Sequence, residues 1–485
     1  MSDIRDLEPK LLWKYFHEIT QIPRPSKKEE RMTEYMKKFG NDNGLETIVD
    51  ETGNVVIRKP ATKGMENRKG IVLQGHLDMV PQKNSDKEFD FEKDPIETLI
   101  DQGWVTANGT TLGADNGIGV AAAMAVLTDP DLVHGPVEAL FTIDEETGMT
   151  GAKNLKKGML KGEILINMDS EDEGELYVGC AGGVDVSALR DYRQEKTPAG
   201  VTAYNLALKG LRGGHSGLDI NLGKANANKL MFRFFQQAEH DFGMRIAEYK
   251  GGDLRNAIPR EAFATIMVPS IKKAEFEKFI NDYEKMYREE FMEVDPDIRM
   301  TATTCEVPEK VMNEADQYRL IRAVFVCPNG VQRMSASMPG VVETSTNLSI
   351  VTIKDGKFEA HSLTRSFVET AKEAVGWKIA AGFQLAGADV TLSGDYPGWK
   401  PNVDSAILVT MKEAYNKLYG KIPEIKAIHA GLECGIIMGA YPNLDSISLG
   451  PTIRYPHSPD EKVEIESVGK FWNFIVATLK DAPLA

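Results

Sequence analysis

Apolar residues recur at helical spacing over residues 5–40, where Leu11, Leu12, Tyr15 and Phe16 are followed by Met32, Tyr35, Met36 and Phe39. The Pro-containing stretch IPRPS parts this pattern into two helices. NVVIRKP and GIVLQGHLDMV then read as strands, β-branched and apolar between Gly, Lys and Pro. Gly117 to Leu127 is a small-residue helix almost free of charge, so it belongs in a core. VEALFTID and EILINMD are two more apolar strands, each closing on an acid. Strands alternating with helices predict an α/β fold, with a mixed, mostly parallel sheet and helices on both faces. In such sheets, sites form beyond the carboxyl ends of the strands. His76, Asp78, Asp144, Glu145, Glu146 and Asp169 all fall there.

The pattern changes near residue 185. YNLALKGL, a helix around Asn226 to Phe235, AFATIMV and a charged helix from Lys272 to Glu293 form one βαβα series. IRMTATTCEV opens a second, with a helix from about Asp316, the strands NLSIVTIK and FEAHSLTRS, a helix around Val368 to Gln384, and ADVTLSG. The expectation is a catalytic domain in two parts, residues 1–184 and 399–485, with an inserted α/β lid domain of two related halves at 185–398. From Ser405 a helix, a strand pair and a final helix would complete the first domain.

Length agrees with that division, since 485 residues exceed one compact core. A formal net charge of −15 disfavours nucleic acid and anionic membrane, both of which need a basic face. The N-terminus is acidic where a signal peptide is basic, and no apolar run reaches the roughly 18 residues of a spanning helix. Cys180, Cys305, Cys327 and Cys434 are widely spaced and show no CxxC pairing, which suits buried thiols in a reducing compartment. The expected location is cytoplasmic.

Candidate chemistry begins at QGHLDMVPQ. Residues two apart on a strand share a face, so His76 and Asp78 lie together, as a metal-bound imidazole and its orienting carboxylate do. The tripeptide alone is common. Asp115, in the Gly-flanked turn TLGADNGIG, would by itself read as a cap on the helix behind it, but the length of that small-residue helix favours a carboxylate reaching into a cleft. In FTIDEETG the neighbours Glu145 and Glu146 diverge in direction, so one can hold a metal while the other faces substrate; a solvated helix start is the plain alternative. Asp169 closes the strand of LINMDSEDEGEL, and His457 sits between Pro456 and Pro459 in RYPHSPDE, where a structural histidine is the commoner case. Together these imidazoles and carboxylates form a nitrogen and oxygen donor set suited to zinc, with manganese or cobalt as substitutes.

Taken in order along essentially the whole chain, GHLDMVP, TLGADNGIG, DEETG, NMDSE and PHSPDE resemble the cocatalytic-zinc peptidase family that includes carnosinases, aminoacylases and bacterial dipeptidases. The resemblance implies that two Zn2+ ions share Asp115, with His76 and Asp169 completing one site and Glu146 and His457 the other. It implies Asp78 as the partner of His76, Glu145 as general base, and His215 in GLRGGHSGLDI as an oxyanion donor. Asn256, Arg365 and Gly431 match substrate-contacting positions, Arg365 facing the peptide's terminal carboxylate. His429 and Glu433 lie in the same Gly-rich stretch as Gly431, and the family pattern gives neither a ligand role. The implied activity is hydrolysis of dipeptides with a free C-terminal carboxylate, Xaa-His and β-Ala-His among them, by a hydroxide shared between two metals. An N-acyl amino acid deacylase or a tripeptidase of the same family is the alternative. The implied partner is a small peptide substrate, and a homodimer is the expected assembly.

Overall fold

The apolar runs form the centre of an eight-stranded sheet in the computed structural model, which describes residues 3–485. Ile71–His76 pairs in parallel with Val137–Thr142 on one side and Ile164–Asn167 on the other, and Ile164–Asn167 pairs in parallel with Asp445–Ser448. The first three are buried along their whole length, which explains why they carry no alternation. Strands in antiparallel pairs extend the margins, Val55–Lys59 and Glu46–Val49 on one side and Glu175–Cys180 on the other, and Glu424–Ile428 is the outermost strand beyond Glu175–Cys180. The fold is the mixed α/β arrangement expected, parallel at its centre. Ala114–Thr128 is buried over nearly its whole length, and regular helix begins only after Asp115 and Asn116, whose backbones are non-helical. A second small sheet joins Thr98–Asp101, Trp104–Ala107, Lys462–Glu464 and Ile453–Arg454.

The chain forms two compact units. The first comprises Met1–Cys180, Trp399–Ala427 and Leu432–Ala485, and the second comprises Ala181–Gly398 and Ile428–Gly431. The crossing therefore falls four residues before 185, and a short late segment returns to the second unit.

The second unit contains a nine-stranded antiparallel sheet whose two halves have one topology. Val201–Lys209, the helix Ala227–Phe242, Arg245–Gly251, Ala262–Pro269, the helix Lys273–Glu290 and Arg299–Cys305 make the first half. Gly182–Asp191, the helix Glu314–Val326, Val342–Lys354, Lys357–Ser366, the helix Glu369–Leu385 and Asp389–Tyr396 make the second. In each half the first strand lies between the third and the fourth, and the halves join where Arg245–Gly251 pairs with Val342–Lys354. This corrects the expected partition. Arg299–Cys305 closes the first half instead of opening the second, because it pairs with Val201–Lys209. The second half instead begins at Gly182–Asp191, with the whole first half inserted after it in sequence. Alternation puts Tyr204, Leu206 and Leu208 into a core with Phe232, Phe234, Phe235 and Phe276 under the helices, while Asn205 and Lys209 face out.

Candidate metal centre

Strand register brings the first group together. His76 ends Ile71–His76, and Asp78 follows two residues on with its Oδ1 3.3 Å from the His76 Nδ1. The Asp78 carboxylate also accepts the Glu145 N–H at 3.0 Å, the Glu146 N–H at 3.3 Å and the Ser26 hydroxyl at 2.8 Å. One buried acid thus orients an imidazole and anchors the turn that carries two more acids. Burial alone would raise the Asp78 pKa, but the His76 imidazole and these donors hold it at about 2, so it stays charged. Arg24, buried beneath, donates to the carbonyls of Leu77, Asp78 and Gly113 and ties the His76 loop to the Asp115 loop.

Asp115 divides its carboxylate between two imidazoles, with Oδ1 3.1 Å from His76 Nε2 and Oδ2 3.2 Å from His457 Nε2. Asp169 Oδ1 lies 3.2 Å from His76 Nε2, and Glu146 Oε2 lies 2.9 Å from His457 Nε2. Two donor sets share Asp115: His76, Asp115 and Asp169, and Asp115, Glu146 and His457. Glu145 forms a further group with His76 and Glu146, whose donor atoms lie within 4.8 Å of one another. The structure thus brings together Asp78, Glu145 and the five residues assigned as ligands.

The electrostatics and the unsatisfied atoms fit cations here. Glu146 Oε1 and Asp169 Oδ1 are buried and make no hydrogen bond. Burial pulls the His76 pKa down, yet Asp169, Asp115 and Asp78 drive it well above its usual value. Hydrogen bonds to Asp115 and Glu146 push His457 up to about 11. Burial, reinforced by nearby acids, raises Asp169 and Glu145 well above the carboxylate range, and Glu171 at the rim to about 8. Carboxylates this crowded bind positive charge avidly, and imidazole plus carboxylate donors suit zinc and its neighbours.

The remaining candidates lie in the second unit. His215, on the two-residue strand Gly214–His215, accepts the Gly217 N–H at 3.2 Å and the Leu218 N–H at 3.0 Å on Nδ1. Both contacts require an unprotonated Nδ1, so the ring presents Nε2–H as a neutral donor. Burial and then Arg365 lower its pKa, which keeps that state. Arg365 is buried, donates to the Tyr396 hydroxyl at 3.0 Å and leaves Nε without a hydrogen bond. Gly431 lies against the Tyr396 ring, where an added Cβ would stand 3.0 Å from it. Buried His429 meets the Ser345 hydroxyl at 2.7 Å, and burial, Arg365 and His215 depress its pKa to about 3. Asn256 has an exposed side chain, and its carbonyl accepts the Ser216 N–H at 2.8 Å beside His215.

Residues 72–481 match the profile of Peptidase family M20/M25/M40. The chain belongs to this family. Over 483 residues, all of both chains, this M20 peptidase is 46% identical to the cytosol non-specific dipeptidase of Escherichia coli K12. Its structure superposes on the aminoacylhistidine dipeptidase of Vibrio alginolyticus with a TM-score of 0.97 and 48% identity, covering 100% of this chain and 99% of the other. The aminopeptidase PepT of Bacillus cereus, at 18% identity and a TM-score of 0.57 over 98% of this chain and 99% of its own, shares the fold. The chain is a metallopeptidase, and no helix among its described residues is long and apolar enough to cross a membrane.

Three residues of this M20 peptidase have supporting roles that the sequence does not reveal. Glu461, nearly fully buried, accepts the N–H groups of Leu112 at 2.8 Å, Gly113 at 2.9 Å, Ala114 at 2.7 Å and Asp115 at 3.2 Å. Glu433, noted only as a possible false ligand, is fully buried; it accepts Gln74 at 2.6 Å and Thr142 at 2.8 Å, and Asn167 donates to Gln74 at 2.5 Å. Those three residues precede His76, Asp144 and Asp169 by two positions each, so one carboxylate, directly and through Gln74, ties together three strand ends that lead into the site. Tyr396 is the third, through Arg365. The one available signal was Glu461, an acid in PHSPDE four residues after His457.

Proposed function

We propose that this peptidase hydrolyses dipeptides bearing a free C-terminal carboxylate, Xaa-His and β-Ala-His among them, using two zinc ions held by His76, Asp115, Asp169, Glu146 and His457. The observation that carries the reading is Asp115, whose two oxygens each face one imidazole at 3.1 and 3.2 Å. The choice of dipeptides draws on the full-length likeness to two dipeptidases.

When bound, the two cations supply Lewis acidity for the scissile carbonyl and acidify water toward a pKa of about 7. Glu145 takes the proton of the attacking water and returns it to the leaving amine. Its backbone is held by Asp78, and its neighbour Glu146 turns to His457, which leaves the Glu145 carboxylate for this task. Asp78 keeps the His76 ring in the orientation that presents Nε2. His215 donates its Nε2–H to the developing oxyanion, a contact worth about 3 kcal/mol when aligned. Arg365, held by Tyr396, pairs with the terminal carboxylate, with Asn256 and the backbone at Gly431 as further contacts. A dependence on that carboxylate restricts cleavage to the bond next to a free C-terminus and excludes bonds inside longer chains.

A substrate panel tests the proposal. β-Ala-His and Gly-His should be cleaved, while the dipeptide amide, an N-acetyl amino acid and a tripeptide should react far more slowly. Faster cleavage of the N-acetyl amino acid or the tripeptide would replace the dipeptidase reading with deacylase or tripeptidase. A cytoplasmic location and a homodimer belong to the same proposal, and cell fractionation and sedimentation test them.

A further inference from the structure

The two cation sites are not held with equal firmness. The first stands on strand ends: the His76 side chain is 1% exposed and closes a fully buried strand, and Asp169, 9% exposed, follows another. In the second, the His457 side chain is 49% exposed and rides on an irregular loop between Pro456 and Pro459, with a backbone φ of 59°. Its imidazole contacts are Asp115 and Glu146, two carboxylates that repel each other. Packing therefore contributes little to the place of His457, and something else in the loop must set it.

Glu461 is the group that meets this need. It lies four residues after His457, and its carboxylate receives four consecutive N–H groups, Leu112 to Asp115, at 2.7 to 3.2 Å. Those N–H groups belong to the turn before the regular helix, which begins only after Asn116, and they need an acceptor from outside it. An anion cradled by four consecutive N–H groups satisfies all of them. The Glu461 carbonyl accepts the Thr106 hydroxyl at 3.0 Å, and its own N–H reaches the Ser458 carbonyl at 3.0 Å. Glu461 thus bolts the loop bearing His457 onto the backbone bearing Asp115.

We infer that Glu461 is a positioning residue that sets the separation of His457 from Asp115, and that through it the cation at Asp115, Glu146 and His457 is held selectively. The inference rests on the two-cation reading above. Glu461→Gln keeps the size of the side chain but replaces one accepting oxygen with an amide that faces backbone N–H groups donor to donor. The loop then loses its register, while His76 and Asp169 keep their strand-end supports.

The test is chelator competition on the zinc-loaded, full-length protein, counting zinc retained per chain at each chelator concentration. Wild type should start at two zinc per chain. Glu461→Gln should release one zinc at a chelator concentration at least tenfold lower than wild type and release the other at an unchanged concentration. Retention of both zinc ions as in wild type overturns the inference. So does equal weakening of both, since that describes general loosening of the fold. If Glu461→Gln does not fold, Glu461→Asp, which keeps the charge one methylene short, is judged by the same criteria. A wild type that holds fewer than two zinc ions would instead refute the two-cation reading, which separates the two failures.

Discussion

In the first unit carboxylates crowd round two imidazoles and drive them toward the protonated state; in the second, burial and then a nearby guanidinium drive two imidazoles toward the neutral one. The same residue type is thus tuned in opposite directions by its neighbours. In the proposed mechanism one cluster gathers cations, and the other gathers the anionic parts of a substrate and of a transition state. Both sets are brought together largely by backbone: Asp78 and Glu461 bind N–H groups, and His215 accepts two more. Fixed donors and acceptors of this kind cost little reorganisation during reaction.

Variants in each cluster should fail in different ways. The largest effect belongs to Asp115→Ala, which removes the carboxylate common to both donor sets. Zinc content should fall below one per chain and turnover by at least ~10⁴-fold; retention of two zinc ions would break the claim that Asp115 is shared. Glu145→Gln should retain both zinc ions and lose about 10²–10⁴ in kcat, the range for a displaced general base. Near-normal turnover would remove Glu145 from that role. Arg365→Met should leave zinc content alone and lower kcat/KM on dipeptides by about 10²-fold or more, as expected when a buried charge pair loses one partner. The same variant should have almost no effect on the dipeptide amide, and an equal loss on both would contradict carboxylate recognition.

The smallest effect concerns His429, whose pKa falls from an ordinary 6.5 to about 3 in the folded chain. Below pH 6.5 the unfolded chain takes up a proton that the folded chain refuses until about pH 3. The stability involved is complete above pH 6.5 and is lost as the pH falls through this window. At pH 5 the loss is about 2 kcal/mol. Thermal melts of wild type and His429→Gln at pH 7.5 and pH 5 read it directly. Wild type should lose more stability over that interval than the variant, and equal losses would show that His429 is not kept neutral.

The comparison also separates what the sequence makes legible from what it does not. His76, Asp78, Asp144, Glu145, Glu146 and Asp169 could be placed because apolar strands announce where they end, and a strand end in a parallel sheet is where sites form. The late onset of the helix behind Asp115 was equally readable from its small residues. Glu461 was not, because its meaning depends on N–H groups nearly 350 residues away in sequence. Tyr396 takes its place only through Arg365, and Glu433 only through Gln74 and Thr142. The halves of the second unit were misdivided for a related reason. Local pattern identifies Arg299–Cys305 as a strand, but only long-range pairing says whose neighbour it is.

The central claim is a peptidase whose chemistry requires two cations on one shared carboxylate. The most direct measurement is β-Ala-His hydrolysis by the chelator-stripped, full-length protein during stepwise return of zinc. The account predicts no hydrolysis without metal and a rise that saturates at two zinc per chain. Full activity in the stripped protein, or saturation at a single equivalent, would contradict it.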